Sequence, residues 1–453
     1  MSLIDWNSLD VIGRIADSQN VECYLVGGAV RDYVLGIKPK DYDFVCTDSE
    51  KLIEKIKFFR NDIKVHKFEN YGTFQFHFAG VDFEFVNPRK EIYRTWDHRP
   101  ECSTGTIEDD IMRRDFTINT LAIKITTDVS KNHEIIDLTG RGLVDLDCFR
   151  LDCVSGHIKT FTEDPTRMIR AAVYAAKGFE PSTETMAAIR YCAHEIERIP
   201  HETLKSLIDK GILWNGFIMW LYDMELLTKI IPEFEGVEEI PQPPNHHTHD
   251  LINHTFAVVD NCPEDLQVRW AALFHDIGKI KTWEVYQHFK GHEYESEKIA
   301  FKIMERMRFS NKDKNVILHL VRNHMQVILT SIHHNNYGKR ALGGFFSKHK
   351  GFLKKIKTLA EADIKGAGVH SKSDLEKLDL FFEELYKHII SVGIMGEEKF
   401  KLAISGYDIM DILGVKSSYT IGAVKRTLEK YVLEGRLKNT KEALSATLKK
   451  LAG

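Results

Sequence analysis

At 453 residues, with 43% hydrophobic and 28% charged residues, the chain is too long for one ordinary domain and has the balance of a globular protein that buries large cores. Its net charge of −4 lacks the basic footprint of a nucleic-acid partner and argues mildly against one, although residues 401–453 carry ten Lys or Arg against five Asp or Glu, which a local RNA patch or an ordinary solvated face explains about equally. No apolar run approaches a membrane span, the start MSLIDWNSLD lacks a signal peptide's basic and apolar regions, and seven cysteines without a Cys-x-x-Cys read as reduced packing thiols; a cytoplasmic, membrane-free protein is expected.

The first 150 residues predict a mixed α/β region. CYLVGG, YDFVCT, GTFQFHFA and VDFEFV have strand composition, and SEKLIEKIKFF between them reads as a helix. From Thr162 the pattern turns helical: EDPTRMIRAAVYAAKGF has apolar residues at helical spacing, Pro165 in its first turn and Gly178 near its end. EIPQPPNHHTHD (239–250) reads as a linker, with three prolines in four residues. A helical block follows to about Gly368, and a last helical segment closes the chain. The expected fold class is α+β, divided as 1–150, 151–240, 241–370 and 371–453.

The stretch VGGAVRDYVLGIKPKDYDFV places Asp41 and Asp43 on one face of a strand, about 7 Å apart. Two carboxylates that close repel, and a buried pair needs positive charge between them. Mg²⁺ bridging carboxylates to substrate phosphates is the usual solution. Gly27 and Gly28, between a strand and a helix, allow close backbone approach to an anion, and Arg31 adds a charged fork for phosphate. In the acidic strand VDFEFV, Asp82 and Glu84 also share a face, and either could supply a third carboxylate. The parts suggest two metal ions around an in-line phosphoryl displacement, one activating a hydroxyl and one holding the leaving pyrophosphate.

GGAVRD…DYDFV resembles the head signature of the class II CCA-adding tRNA nucleotidyltransferase and poly(A) polymerase family. FEFVNPRKEIY (83–93), GTIEDDIMRRDFTINTLAI (105–123), DLTGRGLVDL (137–146) and EDPTRMIRAA (163–172) follow in that family's order. The resemblance implies a polymerase-β-like head with Asp41 and Asp43 as Mg²⁺ ligands and Glu84 as third carboxylate. It implies that Gly28 and Arg31, after Gly27, hold the triphosphate, and that Arg114, Asp115 and Asn119 contact phosphate and ribose. Val173 stands where an arginine is often found, and the DLTGRGLVDL segment is one residue longer than the usual form.

Asp164, Arg167 and Arg170, spaced by three, predict one slanted polar row on a helix. Cytosine and adenine each present an exocyclic amine beside a ring-nitrogen acceptor. A carboxylate accepts from the first and a guanidinium donates to the second, whereas uracil and guanine mispair with both. The resemblance gives this selection to Asp164 and Arg167, with Arg170 in support. RTWDHRPECSTGT (94–106) is expected as the element that reshapes the pocket from C to A.

Thirteen of the 21 histidines fall between His246 and His370. His254, the adjacent His275 and Asp276, and Asp363 form an N/O ligand set suited to a transition metal or Mg²⁺. This resembles the HD phosphohydrolase superfamily, in which His292 and His324 stand where a second metal is held. His246, His247 or His249 would lie in an outer shell. The expected cation is Mg²⁺, Mn²⁺, Ni²⁺ or another divalent ion, with phosphatase or 2′,3′-cyclic phosphodiesterase activity in some relatives of this architecture. The C-terminal segment resembles the tRNA-gripping part of bacterial CCA enzymes, so Lys425, Arg426, Lys430, Arg436 and Lys438 are candidate phosphate contacts. The expectation is CCA addition to the tRNA 3′ end from CTP and ATP by a monomer or homodimer. The alternatives are A-adding, CC-adding or poly(A) synthesis, or a mainly hydrolytic HD protein.

Overall fold

The computed structural model describes residues 4–68, 72–92, 101–128, 134–240, 250–333, 337–368, 371–392, 400–415 and 418–452. The chain forms two compact units, Met1–Ile230 and Ile231–Gly453. The first is mixed α and β and the second is helical, as the α+β expectation requires. No helix among the described residues is long and apolar enough to cross a membrane.

Among the described residues the first unit has eleven strands: β1 (Cys23–Val26), β2 (Asp41–Cys46), β3 (His66–Phe68), β4 (Thr73–Phe78), β5 (Val81–Val86), β6 (Arg89–Ile92), β7 (Glu101–Thr104), β8 (Leu121–Lys124), β9 (Ile135–Asp137), β10 (Arg150–Leu151) and β11 (Glu180–Pro181). Seven of them form one sheet in the order β3-β4-β5-β2-β1-β8-β9. Its β2–β5 pair is parallel and its other pairs antiparallel. Helix Ser49–Phe59, capped by the Asp48 side chain, lies in the crossover from β2 and buries Leu52, Ile53 and Ile56. β4 returns into β5 through Ala79 and Gly80, both at positive φ, the two-residue turn that matches strand twist.

The sheet's two faces differ in kind. Phe44 stacks on Phe85 at 4.5 Å between ring centroids and Phe76 on Phe83 at 5.1 Å, all buried. The alternate residues of β2 and β5 are Asp41, Asp43, Asp82 and Glu84. A one-residue slip would exchange buried rings for carboxylates, so the aromatic face fixes the register.

β6 and β7 pair as a separate hairpin. Of the 94–106 segment, 94–100 lie outside the described residues and 101–104 are strand β7. Helix Ile107–Met112 follows, closed by a Thr106–Asp109 capping box, and sets Ile111 against Val26, Val45 and Ala122 of the sheet. Its C-terminus therefore delivers Arg113, Arg114 and Asp115 to the carboxylate face.

In the second unit, helices Leu251–Asn261, Leu266–Phe274, Gly278–Tyr286, His292–Arg306, Asn311–His333 and Leu353–Ala367 surround the histidines. A Cβ on Gly278 would collide with the backbone of His292 and Ser296, so only glycine lets the two helices approach this closely. His246, His247 and His249 lie outside the described residues.

Candidate active site

Three strand positions bring the carboxylates together. Asp43 pairs across the parallel β2–β5 ladder with Glu84, and Asp41 with Asp82. Asp41, Asp43 and Glu84 line a cavity of about 550 Å³. Asp82 is exposed and paired with His77 at 2.7 Å, away from that cavity. Gln75, opposite Glu84 on β4, donates to Glu84 Oε2. Burial, followed by the charges of Asp41 and Glu84, pushes the Asp43 carboxyl up to about 6, against the pull of Arg114 and Arg170. Such a cluster holds a proton or attracts a cation, and its all-oxygen donors suit Mg²⁺.

The same cavity gathers Gly28, Arg31, Arg114, Asp115, Asn119, Asp164, Arg167 and Arg170 from three further stretches of chain. Gly27 precedes helix Gly28–Val34 at φ +68°, and a Cβ there would stand 2.6 Å from Arg114 Nη1. The glycine is thus required twice, by conformation and by the arginine packed on it. Arg31 is buried. It donates from Nε to Asp32 at 2.9 Å, and from Nη1 to Asn119 Oδ1 at 2.7 Å and to the Tyr174 hydroxyl at 3.0 Å. Arg114 is held by Asp110, which is fully buried and also binds Arg113.

Two findings depart from the slanted row. Helix Thr166–Ala176 begins after Asp164, whose backbone is extended, so Asp164 precedes the helix. Its Oδ1 accepts from the backbone N–H and the hydroxyl of Thr166, at 3.0 and 2.6 Å, and its Oδ2 lies 3.8 Å from Arg167 Nε. Arg170 turns away from this pair and donates to Asp115 Oδ2 at 2.7 Å. Burial alone would raise the Asp115 carboxyl; Arg170, Asn119 and the Phe116 N–H outweigh it and hold it below its ordinary value. Arg167 Nη2 donates to the Arg113 carbonyl at 2.8 Å and Nη1 to the Thr160 carbonyl at 3.4 Å, which fixes the guanidinium plane. Asp32, Asp110, Arg113, Thr166 and Tyr174 were not singled out from sequence. Arg113 could have been, since it lies inside the Arg-Arg-Asp run.

The six HD candidates of the second unit also converge, all of them buried. Asp276 bridges two groups. Its Oδ2 lies 3.5 Å from His254 Nε2 and 3.2 Å from His275 Nε2, and its Oδ1 lies 2.9 Å from His292 Nε2 and 3.6 Å from His324 Nε2. Asp363 Oδ1 completes the first group, 3.3 Å from His254 Nε2. Nδ1 of His275, His292 and His324 each donates to a backbone carbonyl, of Ala272, Phe289 and Val321, at 2.7 to 2.8 Å. That tautomer leaves the Nε2 lone pairs facing inward. Nε2 atoms of His254 and His275 stand 3.2 Å apart, as do those of His292 and His324, which requires a shared proton or a cation. Although burial opposes it, Asp276 and Asp363 carry His275 up to about 9. The donor set fits two divalent ions sharing Asp276. Lys279, one turn beyond Asp276, binds its Oδ2 at 2.7 Å.

Lys425, Arg426, Lys430, Arg436 and Lys438 are all exposed, the first three on helix Ser418–Leu433. Arg436 lies over the Tyr431 ring and pairs with Glu434.

Comparison with known proteins agrees with this geometry. Residues 23–151 match the family described as Poly A polymerase head domain, and residues 251–365 the HD domain family. The Multifunctional CCA protein of Nitrosospira multiformis is 31% identical over 332 residues, covering 68% of this chain and 74% of that protein. The protein of the same name from Aromatoleum aromaticum is 32% identical over 317 residues, covering 66% and 74%. In fold, the chain is similar to the Bacillus stearothermophilus CCA-adding enzyme in complex with CTP, with TM-score 0.71, 20% identity, and 98% and 97% of the two chains covered. It is also similar to the Thermotoga maritima CCA-adding enzyme complexed with tRNA, with TM-score 0.62, 19% identity, and 98% and 95% covered. The chain belongs to the class II CCA-adding tRNA nucleotidyltransferase and poly(A) polymerase family, in the form that carries an HD domain behind the polymerase head.

Proposed function

We propose that the chain extends tRNA 3′ ends with C, C and A from CTP and ATP, choosing the bases with protein groups in place of a template. One juxtaposition carries the reading: Asp41, Asp43 and Glu84 line the same cavity as Asp164 and Arg167. A nucleoside triphosphate spanning it would present its α-phosphate to the carboxylates and its base to the Asp–Arg pair. Relatives named Multifunctional CCA protein and the CTP and tRNA complexes of similar folds point the same way.

In this mechanism the terminal ribose hydroxyl attacks the α-phosphorus in line and pyrophosphate leaves. Mg²⁺ held by Asp41 and Asp43, with Glu84 beside them, would supply neutralising charge at the phosphates and acidify the attacking hydroxyl. Arg31, fixed by Asp32, Asn119 and Tyr174, offers the triphosphate a positive charge that needs no reorganisation. Asp115, kept ionised beside Arg170, and Asn119, bonded to it, would receive the ribose. Asp164 Oδ1 is occupied by Thr166, which leaves Oδ2 to accept the exocyclic amine of C or A. Arg167 donates to the ring nitrogen. A second cavity of about 420 Å³, lined by Val26, Thr73, Val86 and Arg89, also borders Asp43 and Glu84 and would seat the RNA end. The exposed lysines and arginines of helix Ser418–Leu433 and the residues after it would grip tRNA phosphates, with affinity falling as salt rises.

The test is purified protein with tRNA lacking its 3′ CCA, each NTP singly and in pairs, resolved on a sequencing gel. Addition of C, C and then A supports the proposal. A-only, CC-only or long A-tailed products assign the neighbouring activities, which use the same residues. No product with any NTP overturns it.

The buried histidine and aspartate cluster favours a second, hydrolytic activity. Cations held between His254, His275, Asp276 and Asp363, and between Asp276, His292 and His324, would polarise a phosphate ester and lower the pKa of water. Turnover of a 2′,3′-cyclic phosphate that EDTA abolishes and Mn²⁺, Ni²⁺ or Mg²⁺ restores would support it; no metal-restored turnover would leave the cluster a structural staple.

A further inference from the structure

We infer that Tyr174 is a positioning residue for nucleotide transfer: its hydroxyl locks Arg31 and Asn119, tying the triphosphate end of the cavity to the helix that follows the base-reading Asp164. The inference rests on the reading proposed above for this cavity.

Tyr174 stands on helix Thr166–Ala176, two turns beyond Arg167. Its ring is gripped edge-on by Phe116 at 5.7 Å and by Phe179 at 6.1 Å, so the hydroxyl is delivered to one place. There it accepts from Arg31 Nη1 at 3.0 Å and from Asn119 Nδ2 at 3.0 Å. Arg31 Nη1 also donates to Asn119 Oδ1 at 2.7 Å, which closes a ring of three side chains from three elements. Among the described residues Arg31 also donates to Asp32, its own neighbour in sequence, which orients the guanidinium locally but does not tie it to the helix. Arg167, through the Arg113 carbonyl, and Arg170, through Asp115, also link this helix to the head. Of these links, only that of Tyr174 acts directly on the candidate phosphate-binding arginine. Removing the hydroxyl would leave Arg31 short of one acceptor in a buried site, where a hydrogen bond to a charged group matters most.

The test is Tyr174→Phe, which keeps the ring and its packing. We expect KM for both CTP and ATP to rise about tenfold, with kcat within about twofold, the size expected for one hydrogen bond to a charged group. The dissociation constant of a non-hydrolysable CTP analogue should rise equally. Selectivity against UTP and GTP should stay, because Asp164 and Arg167 keep their own contacts. In an Arg31→Ala background the same substitution should cost much less, only what the remaining Asn119 bond contributes, which a general packing defect would not reproduce. Unchanged KM in Tyr174→Phe, or an equal penalty in both backgrounds, overturns the inference while leaving the functional reading intact. Failure of the unmodified protein to add C or A to tRNA would instead remove the functional reading, and the inference with it.

Discussion

Replacing Asp164 by Asn isolates base selection from folding. Oδ1 of Asp164 accepts from the backbone N–H of Thr166 at 3.0 Å, and a backbone donor demands an oxygen there. An Asn at 164 would therefore keep its oxygen on Thr166 and turn its NH₂ to the place of Oδ2, the atom 3.8 Å from Arg167 Nε. The local turn that leads into the helix survives, so the melting temperature should hardly move. The base now meets a donor where it met a carboxylate. Cytosine and adenine lose a charge-assisted hydrogen bond and gain a donor–donor clash; at about 1.5–3 kcal/mol for the bond alone, kcat/KM for CTP falls roughly 10- to 100-fold. Uracil gains a partner for its O4 but still presents an N–H to Arg167, so UTP improves by at most about tenfold. The ratio of CTP to UTP incorporation should fall by about one to three orders of magnitude. Single-turnover incorporation into tRNA lacking its 3′ end measures it, with each NTP alone. A folded variant that keeps the ratio within about threefold would falsify the assignment.

Gly27→Ala forces a side chain into φ +68° and within 2.6 Å of Arg114 Nη1. It should destabilise the head by about 1–3 kcal/mol and raise nucleotide KM, read by thermal melts and kinetics. Because burial, Asp41 and Glu84 place the Asp43 carboxyl near 6, a proton competes with Mg²⁺ below that pH. Mg²⁺ affinity should be flat above pH 7 and fall about tenfold per unit below 6, by calorimetry, and Asp43→Asn should flatten the profile. In the second unit, EDTA-treated protein should gain thermal stability on adding Mn²⁺ or Ni²⁺, about 2.7 kcal/mol at a hundred times the dissociation constant. Asp276→Asn should lower occupancy of both positions together, since Asp276 faces both histidine groups; metal analysis would show one remaining ion if the bridge were not shared.

Much of the site could be read along the chain because its signals are local. Alternation alone placed Asp41 with Asp43 and Asp82 with Glu84. What alternation could not give was the partner strand. The parallel β2–β5 pairing sets Glu84 opposite Asp43, and its aromatic reverse face, Phe44 against Phe85, fixes that register. Short strands such as His66–Phe68 and Ile135–Asp137 escaped notice because they lack an apolar alternation long enough to stand out. The row of Asp164, Arg167 and Arg170 was misdrawn for a physical reason: Asp164 spends one oxygen on the helix N-terminus, and Arg170 is drawn to the buried Asp115. Tyr174 gave no signal, since an aromatic residue on a helix's apolar face looks like core until Arg31 arrives from 143 residues away. The histidines were legible as a set because nothing else explains so many on apolar helices, but the bridging place of Asp276 belongs to the packing of helices far apart in sequence.

The most direct measurement compares the unmodified protein with Asp43→Ala on tRNA lacking its 3′ end, given Mg²⁺, CTP and ATP, with tRNA binding followed in parallel. The account predicts three nucleotides added by the first and none by the second, at equal tRNA affinity. Nucleotide addition by the variant at an undiminished rate would show that the carboxylates of β2 do not carry the transfer.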